Sequence, residues 1–194
     1  MRKNDNLEQI LRECEDRIAR RECEEAHLFD KRGNLISQTQ GNDCFVFFPD
    51  GLKRQMPNKT LTHNHSFSRV REQWGFRNKS VFSSADLELA YGYWLTQIRL
   101  AIGNERHSFK WHIASRFLIG IHSVIIGSIR VFEAAHKNAH EKLDNEYREH
   151  TAGEYLQKAY SLDERYFGKI VAFLQENRRW YSYDCREEVI QSVS

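Results

Sequence analysis

His63-Asn64-His65, within the segment KTLTHNHS, is the sharpest grouping of reactive side chains in the chain. Leu61 and the threonines favour extended backbone there, and strand side chains two positions apart point to the same side, so both imidazoles can reach one ion. Zinc is the natural guest. Neutral imidazole nitrogen binds it at about 2.0–2.1 Å, and catalytic sites commonly combine three protein ligands with a water in the fourth position. Asp86, near the start of the next helix, can supply the third ligand once the intervening chain folds back. A plainer reading stands beside this one. HxH is often a pair of surface or sheet histidines, and Ser83-x-x-Asp86 is fully explained as a helix cap.

Hydrolysis at such a centre needs a carboxylate that takes a proton from water and later delivers it to the leaving amine. Glu25 is the preferred candidate because it opens the strand EAHLFD and shares a strand face with His27 and Phe29. Glu24 faces the other way and is the register alternative. Glu22, Glu24 and Glu25 also have the plain reading of solvating a helix end.

The elements that must carry these residues are legible from periodicity. Leu7, Ile10, Leu11, Cys14 and Ile18 recur at helical spacing and predict an amphipathic opening helix over about residues 5–20. EEAHLFDKRGNLIS then reads as a strand, a Lys-Arg-Gly-Asn turn and a second strand, and NDCFVFF as a further extended run. Ser83 and Asp86 form a capping-box pattern with Phe82 and Leu87 placed as a hydrophobic staple. Leu87, Tyr91, Trp94, Leu95 and Ile98 continue that helix's apolar face. IRLAIGNERHSFKWHI returns to the sheet through a Gly-Asn turn. From about residue 115 the pattern is helical, with one continuous or broken helix over 117–149 and another from 152 or 162 to 176.

The ordered set EEAHLFDKRGNLI, THNHS and FSSADLELA resembles the JAMM (JAB/MPN) metalloprotease superfamily, especially its RadC-like and phage or mobile-element branch. The resemblance covers roughly residues 22–112. It implies a small α/β JAMM-like domain with a mixed, largely antiparallel sheet over 22–114; the N-terminal helix, 1–21, and the helical C-terminal extension packed on the domain, 115–194, lie outside it and rest on periodicity. It implies Glu25 as general acid/base, His63, His65 and Asp86 as zinc ligands, and Ser83 as a donor to the developing oxyanion. The activity so implied is zinc-dependent cleavage of a peptide or isopeptide bond. Ser66 stands where the family usually has proline, and 17 residues separate His65 from Ser83. This basic and aromatic stretch, 66–82, is expected to form a flap over the site. Two other functions fit the same residues: a JAMM-like binding or assembly module without hydrolysis, and a DNA-associated or nuclease-like protein.

Composition bounds these readings. With 40% apolar and 29% charged residues, and Gly 10 and Pro 2, the chain is neither collagen-like nor wholly disordered. Lys plus Arg 29 against Asp plus Glu 27 gives a net charge of +2, which argues against a broad nucleic-acid footprint and leaves a polypeptide substrate or protein partner as the expected one. Cys14, Cys23, Cys44 and Cys185 lack CxxC spacing and read as free thiols. The most apolar stretch, residues 117–129, holds His122 and two glycines and is shorter than the roughly 17–25 residues of a spanning helix. With no secretory-type apolar segment at the start, the expectation is a cytoplasmic protein. The C-terminal helices offer a possible homo-oligomer surface. His136 and His140, four apart without an HExxH motif, read as helix-surface or packing residues rather than a second metal site. His107 and His112 lack strand parity and carry no ligand role. The run Arg178 to Tyr183 reads as a C-terminal packing segment with solvated arginines rather than a nucleic-acid contact.

Overall fold

Alternating apolar residues assemble six strands into one mixed sheet, with helices on both faces. A computed structural model describes residues 3–42, 46–69, 71, 80–112, 119–146 and 151–187. Along the chain come α1 (Lys3–Ile18), β1 (Glu25–Phe29), β2 (Leu35–Gln40), α2 (Asp50–Lys53), β3 (Thr60–Asn64), α3 (Ser84–Gly92), β4 (Gln97–Ile102), β5 (Glu105–Trp111), α4 (Ile119–Glu146), α5 (Ala152–Glu176) and β6 (Tyr181–Glu187). The strand order is β2-β1-β3-β4-β5-β6. Only the central pair β3–β4 is parallel among these neighbours, and the crossover between its strands contains α3. The fold is therefore a small α/β domain with a largely antiparallel sheet, an N-terminal helix and C-terminal helices.

Strand parity divides the sheet into two chemically different faces. Ala26, Leu28, Leu61, Ile98, Leu100, Phe109, Trp111, Tyr181 and Tyr183 form one apolar face. Ile125, Ile126 and Ile129 of α4, Ile170 and Leu174 of α5, and Leu87 of α3 complete that core. On the other face α1 packs Leu11 and Cys14 against Phe29, and Ile18 lies with Ala19 against Ala101. That face is partly ionic. Arg99 of β4 reaches Glu15 at 2.5 Å and Glu8 at 3.0 Å, while Arg106 reaches Asp16 at 2.8 Å. Gly33, in the β1–β2 turn, has φ +87, and a Cβ there would meet Ile10 Cδ1 at 2.6 Å, so the turn needs glycine.

Several expectations change in the structure. The helix after Ser83 ends at Gly92 instead of continuing to Ile98. Trp94 takes a left-handed φ of 55, and Leu95 N–H donates back to Ala90 O while Thr96 N–H donates to Lys59 O. The apolar spacing of Leu95 and Ile98 thus belongs to the approach to β4 and to β4 itself. In the run NDCFVFF, residues 43–45 lie outside the described residues, and Val46 to Phe48 are irregular rather than a strand. The C-terminal portion is not helical throughout. Tyr181, Tyr183 and Cys185 alternate with polar residues in β6, which pairs with β5 from Trp111 to Glu105. Cys14, Cys23 and Cys185 are free thiols, and Cys44 lies outside the described residues. Among the described residues no helix is long and apolar enough to cross a membrane.

Candidate metal centre

The end of β3 and the first turn of α3 meet on the apolar face. His63 is directly opposite Ala26 on β1 and beside Leu100 on β4, in the buried middle of the sheet. His65 follows just past the strand end, with the two rings edge to face at 5.3 Å. Ser83 caps α3 through a complete capping box. Asp86 N–H donates to Ser83 Oγ at 3.2 Å, and Ser83 N–H and Oγ–H donate to Asp86 Oδ2 at 2.7 and 2.8 Å. The cap aims the Asp86 carboxylate at the histidines. Oδ1 lies 3.1 Å from His63 Nε2, and Oδ2 lies 3.5 Å from His65 Nε2. One ligand atom from each residue falls within 4.8 Å of the others. Phe82 and Leu87, the expected staple pair, are both fully buried in the core below.

The polar atoms of this cluster fit a cation. His63 is only 5% exposed, yet among the described residues neither ring nitrogen has an aligned hydrogen-bond partner, although Asp86 Oδ1 lies close by. A buried imidazole without partners is costly unless something else meets its lone pair. His65 Nδ1 lies 2.5 Å from Ser80 Oγ. If Nδ1–H donates to that hydroxyl, Nε2 keeps its lone pair for a cation. Burial works against charge at His63, but Asp86 and then Glu24 hold its pKa above the usual imidazole value. Despite the same burial, the two histidines hold the Asp86 carboxyl well below the usual carboxylate range.

The cluster forms one wall of a cavity of about 550 Å³. Apolar walls come from Val46, Phe48, Leu61, Leu89 and Ile102, and the polar lining includes Glu24, Ser66, Ser80 and Ser83. The expected base, Glu25, is not among the described residues that line the cavity. Glu25 precedes Ala26, the partner of His63, by one position, so it shares the α1-facing side with His27, Thr62 and Asn64. There its carboxylate lies 3.5 Å from Arg21 Nε and 3.4 Å from His27 Nε2. Glu24, two before Ala26, faces the cavity. Of the expected flap, 70 and 72–79 lie outside the described residues.

No family model, curated protein or solved structure matches the chain. The ligand geometry therefore stands on its own: among the described residues a mixed α/β fold carries two His/His/Asp clusters that can coordinate a metal ion, an arrangement compatible with a metalloenzyme.

The second cluster is His136 and His140 of α4 with Asp163 of α5. The expectation of surface or packing histidines did not include Asp163, because the carboxylate arrives from another helix. Two positioning residues also went unread. Asn64, between the two histidines and fully buried, accepts from Glu25 N–H at 2.7 Å and donates to Cys23 O at 3.0 Å, tying the start of β1 to the end of β3. Glu133 of α4 accepts from Ser84 N–H and Oγ–H at 2.8 and 2.7 Å, holding the first turn of α3 from outside. Strand parity points Asn64 away from the metal face, but nothing local in the sequence points to Glu133.

Proposed function

We propose that the chain is a zinc-dependent hydrolase of JAMM type that cleaves a peptide or isopeptide bond. The observation that carries this reading is the cavity itself, where Glu24, His63, His65, Ser83 and Asp86 share one wall. They arrive in the order glutamate, HxH, SxxD, with Glu24 one residue before β1, His63 in β3 and His65 just past it, and Ser83 and Asp86 at the start of α3. His63 and His65 would hold the ion through Nε2, and Asp86 through a carboxylate oxygen. Bound zinc would supply a water of lowered pKa and polarise the scissile carbonyl.

Glu24 is the proton carrier in this reading. Its carboxylate takes a proton from the attacking water as the water oxygen bonds to the carbonyl carbon, and returns it to the amine nitrogen as the C–N bond breaks. Ser83 has two tasks. Its hydroxyl can turn from Asp86 Oδ2 to the developing oxyanion because its own N–H, 2.7 Å from the same oxygen, continues to hold the ligand. Leu61, Leu89, Ile102, Val46 and Phe48 offer an apolar berth for a side chain flanking the bond.

The test is hydrolysis of a mixed library of peptides and lysine-linked isopeptides by the zinc-loaded protein. The reading expects turnover that chelation removes and zinc restores. Metal bound at His63, His65 and Asp86 with no cleavage in either library would instead favour the noncatalytic binding module.

A further inference from the structure

α4 and α5 bring His136, His140 and Asp163 together more tightly than the first cluster. Asp163 Oδ1 lies 2.9 Å from each histidine Nε2, and the two Nε2 atoms are 3.1 Å apart. Hydrogen bonds alone explain this poorly. One Nε2–H can be shared between Asp163 Oδ1 and the other ring's Nε2, but that leaves the second ring's lone pair 2.9 Å from a carboxylate oxygen, a clash that a shared cation removes. With bonds of about 2.1 Å, neighbouring ligands lie about 3.0 Å apart around a six-coordinate ion and about 3.4 Å apart around a tetrahedral one. The observed edges match the six-coordinate case.

The surroundings orient the ligands from outside. Arg71 Nη1 donates to Asp163 Oδ2 at 3.1 Å, leaving Oδ1 turned to the histidines. The Arg71 guanidinium also lies 4.7 Å from the Tyr160 ring centre, and Tyr166 stacks on His136 at 4.2 Å. Arg71 belongs to the stretch between His65 and Ser83, so the second cluster is joined by one ion pair to the segment that links the ligands of the first.

We infer that His136, His140 and Asp163 form a second, structural site for a six-coordinate divalent transition-metal ion, which clamps α4 to α5 and, through Arg71, anchors the segment after His65. Three positions of the ion remain for water. This inference does not depend on hydrolysis at the first cluster.

The experiment uses the untagged full chain, stripped by chelator and titrated with Co²⁺ by calorimetry and visible absorption. Wild type is expected to bind two equivalents, one with the weak bands of six-coordinate cobalt. Asp163→Asn and His140→Gln should each remove that equivalent and leave the other, while His63→Gln should do the reverse. Arg71→Met should weaken the second equivalent about 10-fold. In wild type, Co²⁺ should also shift the ring-proton resonances of His136 and His140, a readout that needs no variant to fold. Retention of both equivalents in Asp163→Asn and His140→Gln, or unshifted His136 and His140 protons at saturation, overturns the site. Loss of nothing in His63→Gln would instead count against the first cluster and leave this inference standing.

Discussion

The two His/His/Asp clusters share a ligand set and differ in almost everything around it. At the sheet, His63 and His65 meet separate oxygens of Asp86 beside a cavity of about 550 Å³ that also exposes Glu24 and Ser83. Between the helices, both histidines meet one oxygen of Asp163, whose other oxygen is held by Arg71. The adjoining cavity is only about 170 Å³, and beside His136 the charged residues among its described lining are Arg165 and Lys169, with no carboxylate to serve as a base. Ligands alone therefore do not define a reactive centre. A carboxylate poised for proton transfer and room for a substrate separate a hydrolytic site from a clamp.

Replacing Glu24 should break the first cluster's chemistry without touching either set of ligands. Glu24→Gln is expected to lower turnover by about 10²–10⁴-fold, the usual range for a lost general base, with metal content unchanged. Glu25→Gln, on the α1-facing side, should stay within about 3-fold of wild type, since nothing in general-base catalysis involves it. Comparing kcat at equal zinc occupancy checks both. Equal losses in the two variants would mean that the register, and with it the distinction between the sheet faces, does not control the chemistry.

Asn64 tests how the first cluster is held. Its side chain satisfies Glu25 N–H, Cys23 O and His65 O inside the protein, so Asn64→Ala leaves buried backbone groups unpaired. The expected loss is about 3 kcal/mol of unfolding free energy, measured by urea denaturation. Metal affinity should fall at the sheet cluster and not at the helical one. An equal fall at both would show that the two sites share one cooperative scaffold.

Glu133 makes a smaller link between the two regions, because it leaves α4 to cap α3. Glu133→Ala should cost about 1.5 kcal/mol, discounted for the partial exposure of the carboxylate. Hydrogen exchange at the Ser84 amide should rise. Unchanged protection there would remove α4 from the support of Asp86.

The parts that were legible in the sequence are those written in local period. HxH parity and the Ser83–Asp86 cap each lie within a few residues and each describes the structure, and the expected staple residues Phe82 and Leu87 are both buried in one core. The position of Glu24 was not legible in this way. Two adjacent glutamates stand where β1 begins, and only the pairing of Ala26 with His63 decides which of them faces the cavity. Asp163 and Glu133 come from distant helices, so no window that held the histidines or Ser84 could contain them. β6 had its signal in the alternation of Tyr181, Tyr183 and Cys185, and the expected C-terminal packing segment with solvated arginines is a strand from Tyr181 onward. The overlong helix has the opposite origin: Leu95 and Ile98 mimic helical spacing across a left-handed turn at Trp94.

A buried histidine outside both clusters gives the comparison its control. His122 is 1% exposed, has no hydrogen-bond partner among the described residues, and lies 3.7 Å from the Tyr91 ring centre and 4.2 Å from that of Trp111. Burial without a carboxylate lowers its pKa below the ordinary 6.5, the reverse of His63 beside Asp86. Below about pH 6.5 the unfolded chain therefore binds a proton at His122 that the folded chain refuses. This residue's contribution is intact above that pH and is lost as pH falls toward the folded-state pKa, with a slope of at most about 1.4 kcal/mol per pH unit. His122→Leu should flatten that part of the stability profile relative to wild type while both metal equivalents remain. Urea midpoints measured from pH 7.5 to 5 in the metal-free protein check it. Parallel profiles for the two proteins would mean that His122 carries a proton in the folded state, and that burial alone does not distinguish it from the histidines of the clusters.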